Sequence, residues 1–222
     1  MLEKTNRKRN RMKSYPKLTY YDESDIGRYC YAFDKLDGSN IRVEWDRKRG
    51  WYKFGTRNTM IADTTHTFYE TIDIFMNKYS DDIEKVFRDK KDYRNSQSFV
   101  VFLEYYGENS FAGFHHDDDK KDCVLFDISQ YKKGIISPGE FIKNFGHLDI
   151  PDIIHQGLLT EEFIEDVKSN KFGLDEGVMV KGSEDKKLWI KKIKTREWIS
   201  SVKQKMGIQF VLEDCNNKIY SL

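Results

Sequence analysis

The chain has 222 residues, enough for one large domain with a substantial core. Its 38 basic and 37 acidic residues leave a formal charge of +1, which excludes binding of a polyanion or membrane surface by bulk charge; any such site must be a local arrangement. Cys30, Cys123 and Cys215 are far apart, odd in number and not in CxxC pairs, a pattern of reduced core thiols in a cytoplasmic compartment. No run approaches the roughly 18 apolar residues of a membrane span, and the first residues lack an apolar secretory segment.

Met1 to Lys13 carry Lys4, Arg7, Lys8, Arg9, Arg11 and Lys13 with almost no apolar content, which predicts a flexible basic arm over 1–13. R-Y-C-Y-A-F, from Arg28 to Phe33, reads as a strand, and I-R-V-E-W at Ile41 to Trp45 alternates with period two. Between them lies K-L-D-G-S-N, whose Asp37-Gly38 is a good hairpin turn. A second turn, D-R-K-R-G, leads into W-Y-K-F-G at Trp51 to Gly55 and extends the sheet into a meander. Phe68, Ile72, Phe75, Met76 and Tyr79 then recur at helical spacing as core positions. Ile83 to Phe87 continue that period after a Ser80-Asp81-Asp82 start that resembles an N-cap.

S-F-V-V-F-L-E-Y-Y-G (Ser98 to Gly107) and C-V-L-F-D-I-S (Cys123 to Ser129) are dense in β-branched and aromatic residues and predict buried strands either side of a polar loop. Ser137-Pro138-Gly139-Glu140 and Thr160-Glu161-Glu162-Phe163 open two helices. E-G-V-M-V-K (Glu176 to Lys181) and K-L-W-I-K-K-I-K-T (Lys187 to Thr195) predict a hairpin around G-S-E-D. A helix from Arg196 to about Lys205 and a last strand complete the chain. No repeat or linker interrupts it, so residues 14–222 read as one α+β domain, mainly antiparallel sheets flanked by helices, with 195–222 a short tail.

Several residues along this order are suited to chemistry on a nucleotide. Lys35 stands at a strand end beside a tight turn, where partial burial or nearby cations can turn an amine into a nucleophile. Arg57, in F-G-T-R-N, offers a planar fork for phosphate. Glu104, in F-L-E-Y-Y-G, could accept hydrogen bonds from a ribose or help hold a metal, and Phe126, in V-L-F-D-I, offers a ring on which a base could stack. Glu176 could hold Mg²⁺ directly or through water, while Lys192 and Lys194, two apart on a strand, share a face suited to a triphosphate. Each also has a plain structural reading as a core or salt-bridged group. His115-His116-Asp117-Asp118-Asp119 has metal-ligating residue types without regular spacing and reads as a solvated loop; His66, His147 and His155 are isolated.

Together, K-L-D-G-S-N, F-G-T-R-N, F-L-E-Y-Y-G, V-L-F-D-I, D-E-G-V-M-V-K and W-I-K-K-I-K resemble, in order, the motifs of the covalent nucleotidyltransferases, which include ATP-dependent DNA ligases, RNA ligases and guanylyltransferases that use GTP. Asn40 after K-x-D-G-S, and G-E-N-S-F-A-G-F-H from Gly107 to His115, resemble the phage-type RNA ligases that seal nicks in duplex RNA. The resemblance implies a nucleotidyltransferase domain of the ATP-grasp-like ligase adenylation type. It implies that Lys35 forms a lysyl-AMP from ATP, that AMP passes to an RNA 5′-phosphate, and that a 3′-hydroxyl closes the phosphodiester. Asp37, Gly38, Asn40 and Arg57 would help bind the nucleotide, Glu104 would contact the ribose and Phe126 the adenine. Glu176, with Glu104, would engage Mg²⁺ or Mn²⁺, and Lys192 with Lys194 the phosphates; K-x-K spacing leaves Lys191 on the opposite face. Mg²⁺, Arg57, Lys192 and Lys194 would favour neutral Lys35. The setting implied is RNA repair in a bacterial or phage-infected cytoplasm, with a possible repair partner.

Overall fold

A computed structural model describes residues 12–106, 121–185 and 187–207. The alternating stretches form strands, divided between two sheets. The first contains β1 (Thr19–Tyr20), β2 (Tyr29–Asp34), β8 (Ile153–Leu158), β9 (Gly177–Glu184) and β10 (Lys187–Lys194), in the order β1-β10-β9-β2-β8. The second contains β3 (Ser39–Asp46), β4 (Gly50–Thr56), β5 (Ser98–Tyr106), β6 (Asp122–Gln130) and β7 (Gly134–Ile135), in the order β4-β3-β5-β6-β7. Their pairings are antiparallel except that of β1 with β10.

This division corrects the expected meander. β3 and β4 form a hairpin, but β2 has given one edge to β8 and the other to β9, leaving none for β3. K-L-D-G therefore carries the chain from one sheet to the other. Gly38 is needed there for close approach: a Cβ would lie 2.4 Å from the Tyr105 carbonyl oxygen. The β9–β10 turn is also tighter than G-S-E-D suggests, because Gly182, Ser183 and Glu184 remain paired with β10.

Helices α1 (Glu70–Lys78) and α2 (Ser80–Asp89) cover the second sheet. Phe75, Tyr79, Ile83 and Phe87 join Trp45, Phe99 and Tyr105 in the largest core, where Phe87 stacks on Phe99 at 3.8 Å. Two expectations fail here. Met76 is 41% exposed, and Ser80 does not cap α2: its hydroxyl donates to the Met76 carbonyl at 2.6 Å, continuing the preceding helix. Ser137 and Thr160 do cap α3 (Pro138–Phe145) and α4 (Glu161–Lys168), accepting from the N–H groups of Glu140 and Phe163. α4 packs Phe163, Ile164 and Val167 against Cys30, Ala32, Val178, Val180 and Ile193 on the first sheet.

A third, smaller cluster of Tyr15, Val100, Phe102, Phe126 and Met179 joins residues of both sheets. The chain ends its described part in α5 (Arg196–Met206), capped by Thr195. Met12 and Lys13, at the end of the expected arm, pack on the domain: Met12 is buried, and Lys13 Nζ donates to Ser129 Oγ at 2.6 Å. The arm's first 11 residues, the G-E-N-S-F-A-G-F-H stretch, the His115–Asp119 run, Cys215 and the last expected strand lie outside the described residues. Cys30 and Cys123 are buried free thiols. Among the described residues, no helix is long and apolar enough to cross a membrane.

Candidate active site

Three strand ends of the first sheet meet in one row. Adjacent strands place Lys194 opposite Gly177 and Val178 opposite Asp34. Backbone bonds extend the row beyond the strands: Lys35 N–H donates to the Gly177 carbonyl at 2.9 Å, and Thr195 N–H to the Glu176 carbonyl at 3.0 Å. Gly177, at φ 145°, lies where a Cβ would come within 2.1 Å of the Ile193 carbonyl oxygen, so only glycine lets these strands close up. The result is a buried Glu176 carboxylate between two ammonium groups, Lys35 Nζ at 2.5 Å and Lys194 Nζ at 2.8 Å.

The second sheet supplies the facing wall. Asn40 on β3 lies directly across from Glu104 on β5. On β6, Phe102 is paired with Asp127 and Leu103 with Leu125, leaving Phe126 as the extra residue of a bulge that redirects its ring. Arg57 follows β4 and is exposed. Lys35, Asp37, Gly38, Asn40, Arg57, Glu104, Phe126, Glu176, Lys192 and Lys194 all line one cleft of about 500 Å³. Lys191 points elsewhere, to Asp22 and Asp25 at 3.0 Å each, as K-x-K spacing predicts.

The electrostatics set Lys35, Glu176 and Glu104 apart. Burial pushes the Lys35 amine toward neutrality, but Glu176, Glu104 and Asp37 outweigh it and raise its pKa above 10.5. These carboxylate neighbours favour the ammonium form of Lys35. Burial likewise opposes ionisation of Glu176, yet Lys35 and Lys194 hold its pKa below the ordinary value. Glu104 has no comparable compensation. Burial, then Glu176 and Asp37, push it up to about 8 against the pull of Lys35 and the Gly38 N–H.

That contrast bears on a divalent cation. Among the described residues, no three His, Cys, Asp or Glu side chains group as a protein-only metal cage. Glu104 nevertheless has its charge only partly offset, by Lys35, in a cleft it shares with Glu176. One or two carboxylates completed by nucleotide oxygens and water is an ordinary magnesium environment, and these residues fit it.

Sequence reasoning missed several groups around the cleft. Lys181, 1% exposed, donates to Asp127 Oδ2 and the Phe126 carbonyl, both at 2.8 Å. Tyr15 donates to the same carboxylate oxygen at 2.7 Å. This cluster ties β9 to β6 behind Phe126, and Lys181 at the end of the alternating E-G-V-M-V-K run was its available signal. Asp34 also lines the cleft, its pKa raised to about 6 by burial, then Asp175 and Asp152. Trp198 of α5 is the remaining omission; T-R-E-W has the spacing of a capped first turn but no mark of a site.

Residues 28–193 match the sequence profile of the RNA ligase family. The chain belongs to that family. Curated proteins gave no match. Among solved structures, Naegleria gruberi RNA ligase with PPi is similar at TM-score 0.62 and 20% identity, over 87% of this chain and 58% of that one. A variant of that ligase with ATP and Mn gives 0.62 and 19%, over 86% and 58%. Another variant, without ligand, gives 0.60 and 18%, over 86% and 59%. These identities establish likeness of fold: the α+β nucleotidyltransferase fold of the RNA ligases, with two mainly antiparallel sheets. The chain spans less than two thirds of the length of those structures.

Proposed function

We propose that this chain carries the adenylyltransferase of an ATP-dependent RNA ligase, with Lys35 as the nucleophile. The observation that carries the reading is the row Lys35–Glu176–Lys194, facing Glu104 and Phe126 across a cleft of nucleotide size. Lys35 attacks the α-phosphorus of ATP, its N–P bond forming as the bond to pyrophosphate breaks. AMP then passes to an RNA 5′-phosphate, and a 3′-hydroxyl displaces it to close the strand. Positioning and charge neutralisation are the main resources for such phosphoryl transfers.

In this reading Phe126 stacks on adenine, Glu104 meets the ribose, Arg57 contacts phosphate, and Asp37, Gly38 and Asn40 shape the nucleotide pocket. Lys192 and Lys194 neutralise the triphosphate. Glu104 and Glu176 would hold Mg²⁺ or Mn²⁺, which when bound supplies positive charge to the phosphates. Neutralising these carboxylates leaves burial as the main influence on Lys35, and burial favours the free amine that attack requires. Two buried, unpaired cysteines fit a reducing cytoplasm. RNA ends bearing 5′-phosphate and 3′-hydroxyl are the proposed substrates, in a repair setting that could include a partner protein.

Incubation with Mg²⁺ and labelled ATP or GTP, followed by denaturing electrophoresis and peptide mapping, tests the assignment. The expected result is AMP on Lys35. No label on Lys35 overturns the reading, and GMP transfer selects a guanylyltransferase. Equal sealing of all-DNA nicks selects a DNA ligase instead. Nucleotide binding without transfer leaves a non-catalytic domain on the same fold.

A further inference from the structure

Trp198 lies beyond the residues that match the family profile, which end at 193, yet its side chain lines the cleft and is only 4% exposed. Its place is set by the start of α5. The buried Thr195 hydroxyl accepts the Trp198 N–H at 3.1 Å, while Thr195 N–H donates to the Glu176 carbonyl. From that first turn the indole makes two contacts of different kinds. Its edge donates from Nε1 to Asp37 Oδ2 at 3.0 Å. Its face carries Lys194 Nζ, 3.3 Å from the ring centroid. One side chain thus joins the carboxylate of K-x-D-G to the second lysine of K-x-K.

We propose that Trp198 is a positioning residue for adenylation of Lys35, and that α5 is through it a working part of the nucleotidyl-transfer site. The inference rests on the assignment of Lys35 as nucleophile. The two contacts have separable effects. Asp37 is 8% exposed, so a buried carboxylate benefits strongly from an N–H donor aimed at its charge. Among the groups facing Asp37, Glu176 and Glu104 oppose its ionisation, and Lys35, Lys194 and Trp198 favour it. The cation–π contact with Lys194 restricts where a flexible ammonium group can sit. Loss of the N–H therefore releases the Asp37 carboxylate from its place, and loss of the ring face acts on phosphate capture by Lys194.

The rate of lysyl-AMP formation, measured at several ATP concentrations, separates these roles. Trp198→Phe keeps an aromatic face and removes the donor. It is expected to slow the step about tenfold at saturating ATP, with little change in ATP dependence. Trp198→Leu removes both contacts and should also raise the ATP concentration for half-maximal rate several-fold. If Trp198→Phe does not fold, replacing Nε1–H by sulfur as benzothienylalanine preserves the ring volume and carries the same expectation. Wild-type labelling with an unchanged rate in the donor-less variant overturns the inference alone. An equal loss of thermal stability in both variants with the same ATP dependence in each also overturns it, since that is what packing by itself would give. Wild type that fails to label Lys35 overturns the nucleophile assignment instead.

Discussion

Two lysine–carboxylate pairs lie close together in this fold and behave in opposite ways. Lys35 and Glu176 are 2.5 Å apart, with 21% of the Lys35 side chain open to the cleft; Lys181 and Asp127 are 2.8 Å apart and sealed, at 2% and 1%. The pKa of Lys35 is raised and that of Glu176 lowered, so each supports the other's charge. For Lys181 and Asp127 burial prevails: the lysine is pushed down and the aspartic acid up. The difference lies in the company each lysine keeps. Lys35 faces three carboxylates, whereas Lys181 faces Asp127 and the rings of Phe33, Phe141 and Phe126. Accumulated carboxylates that cations can later neutralise make a group whose protonation changes. A single pair enclosed by rings makes a fastener.

The largest expected effect separates charge from chemistry at the open pair. Lys35→Arg preserves a cation beside Glu176 but cannot supply a free amine, so lysyl-AMP labelling should fall by at least about 1000-fold. A cooperative thermal transition near that of the wild type would show that the lost property is nucleophilicity. At the sealed pair the order reverses. Lys181→Met leaves Asp127 buried without its cation and should cost about 3–5 kcal/mol in denaturant unfolding. Adding Asp127→Asn should recover most of that loss, because the amide oxygen still accepts from Tyr15.

Nucleotide binding gives the next effect. Phe126→Leu removes the proposed stacking surface and should weaken ATP binding by about 1–3 kcal/mol by calorimetry, with Lys35 still competent at saturating ATP. The pH dependence of stability probes the charge imbalance in the cleft. With a folded pKa of about 8, Glu104 keeps its proton where the unfolded chain has released it. Its contribution is therefore fully present below the ordinary carboxylate pKa and is lost as pH rises to about 8. Glu104→Gln should flatten this fall, whose slope is at most about 1.4 kcal/mol per pH unit for one proton. Lys35 does not contribute in that window: its raised folded pKa puts the loss above pH 10.5.

The smallest effect provides the surface reference. Lys191 is paired with Asp22 and Asp25 on the other face of β10. Lys191→Ala should change stability by under about 1 kcal/mol and leave labelling of Lys35 unchanged. A large loss of labelling would contradict the facial separation of Lys191 from Lys192 and Lys194.

These contrasts also show what the sequence could convey. Lys35, Glu104, Glu176 and the paired lysines were legible because period-two alternation assigns faces, and ordered motifs narrow the chemistry. The caps of α3 and α4 were legible because Ser137 and Thr160 act within three residues. Sheet membership was not, since K-L-D-G is compatible with a local turn; only the use of both β2 edges by distant strands excludes one. Lys181 and Trp198 were missed for a related reason. Their partners, Asp127 and Asp37, are 54 and 161 residues away, and local spacing carries no record of such contacts.

The crossing from β2 to β3 has a mechanical consequence. Lys35 is tied to one sheet through the Gly177 carbonyl, and Gly38 is pressed against the Tyr105 carbonyl of the other. Only Leu36 and Asp37 lie between those anchors. With two residues between its anchors, the segment refers the position of Lys35 to both sheets at once.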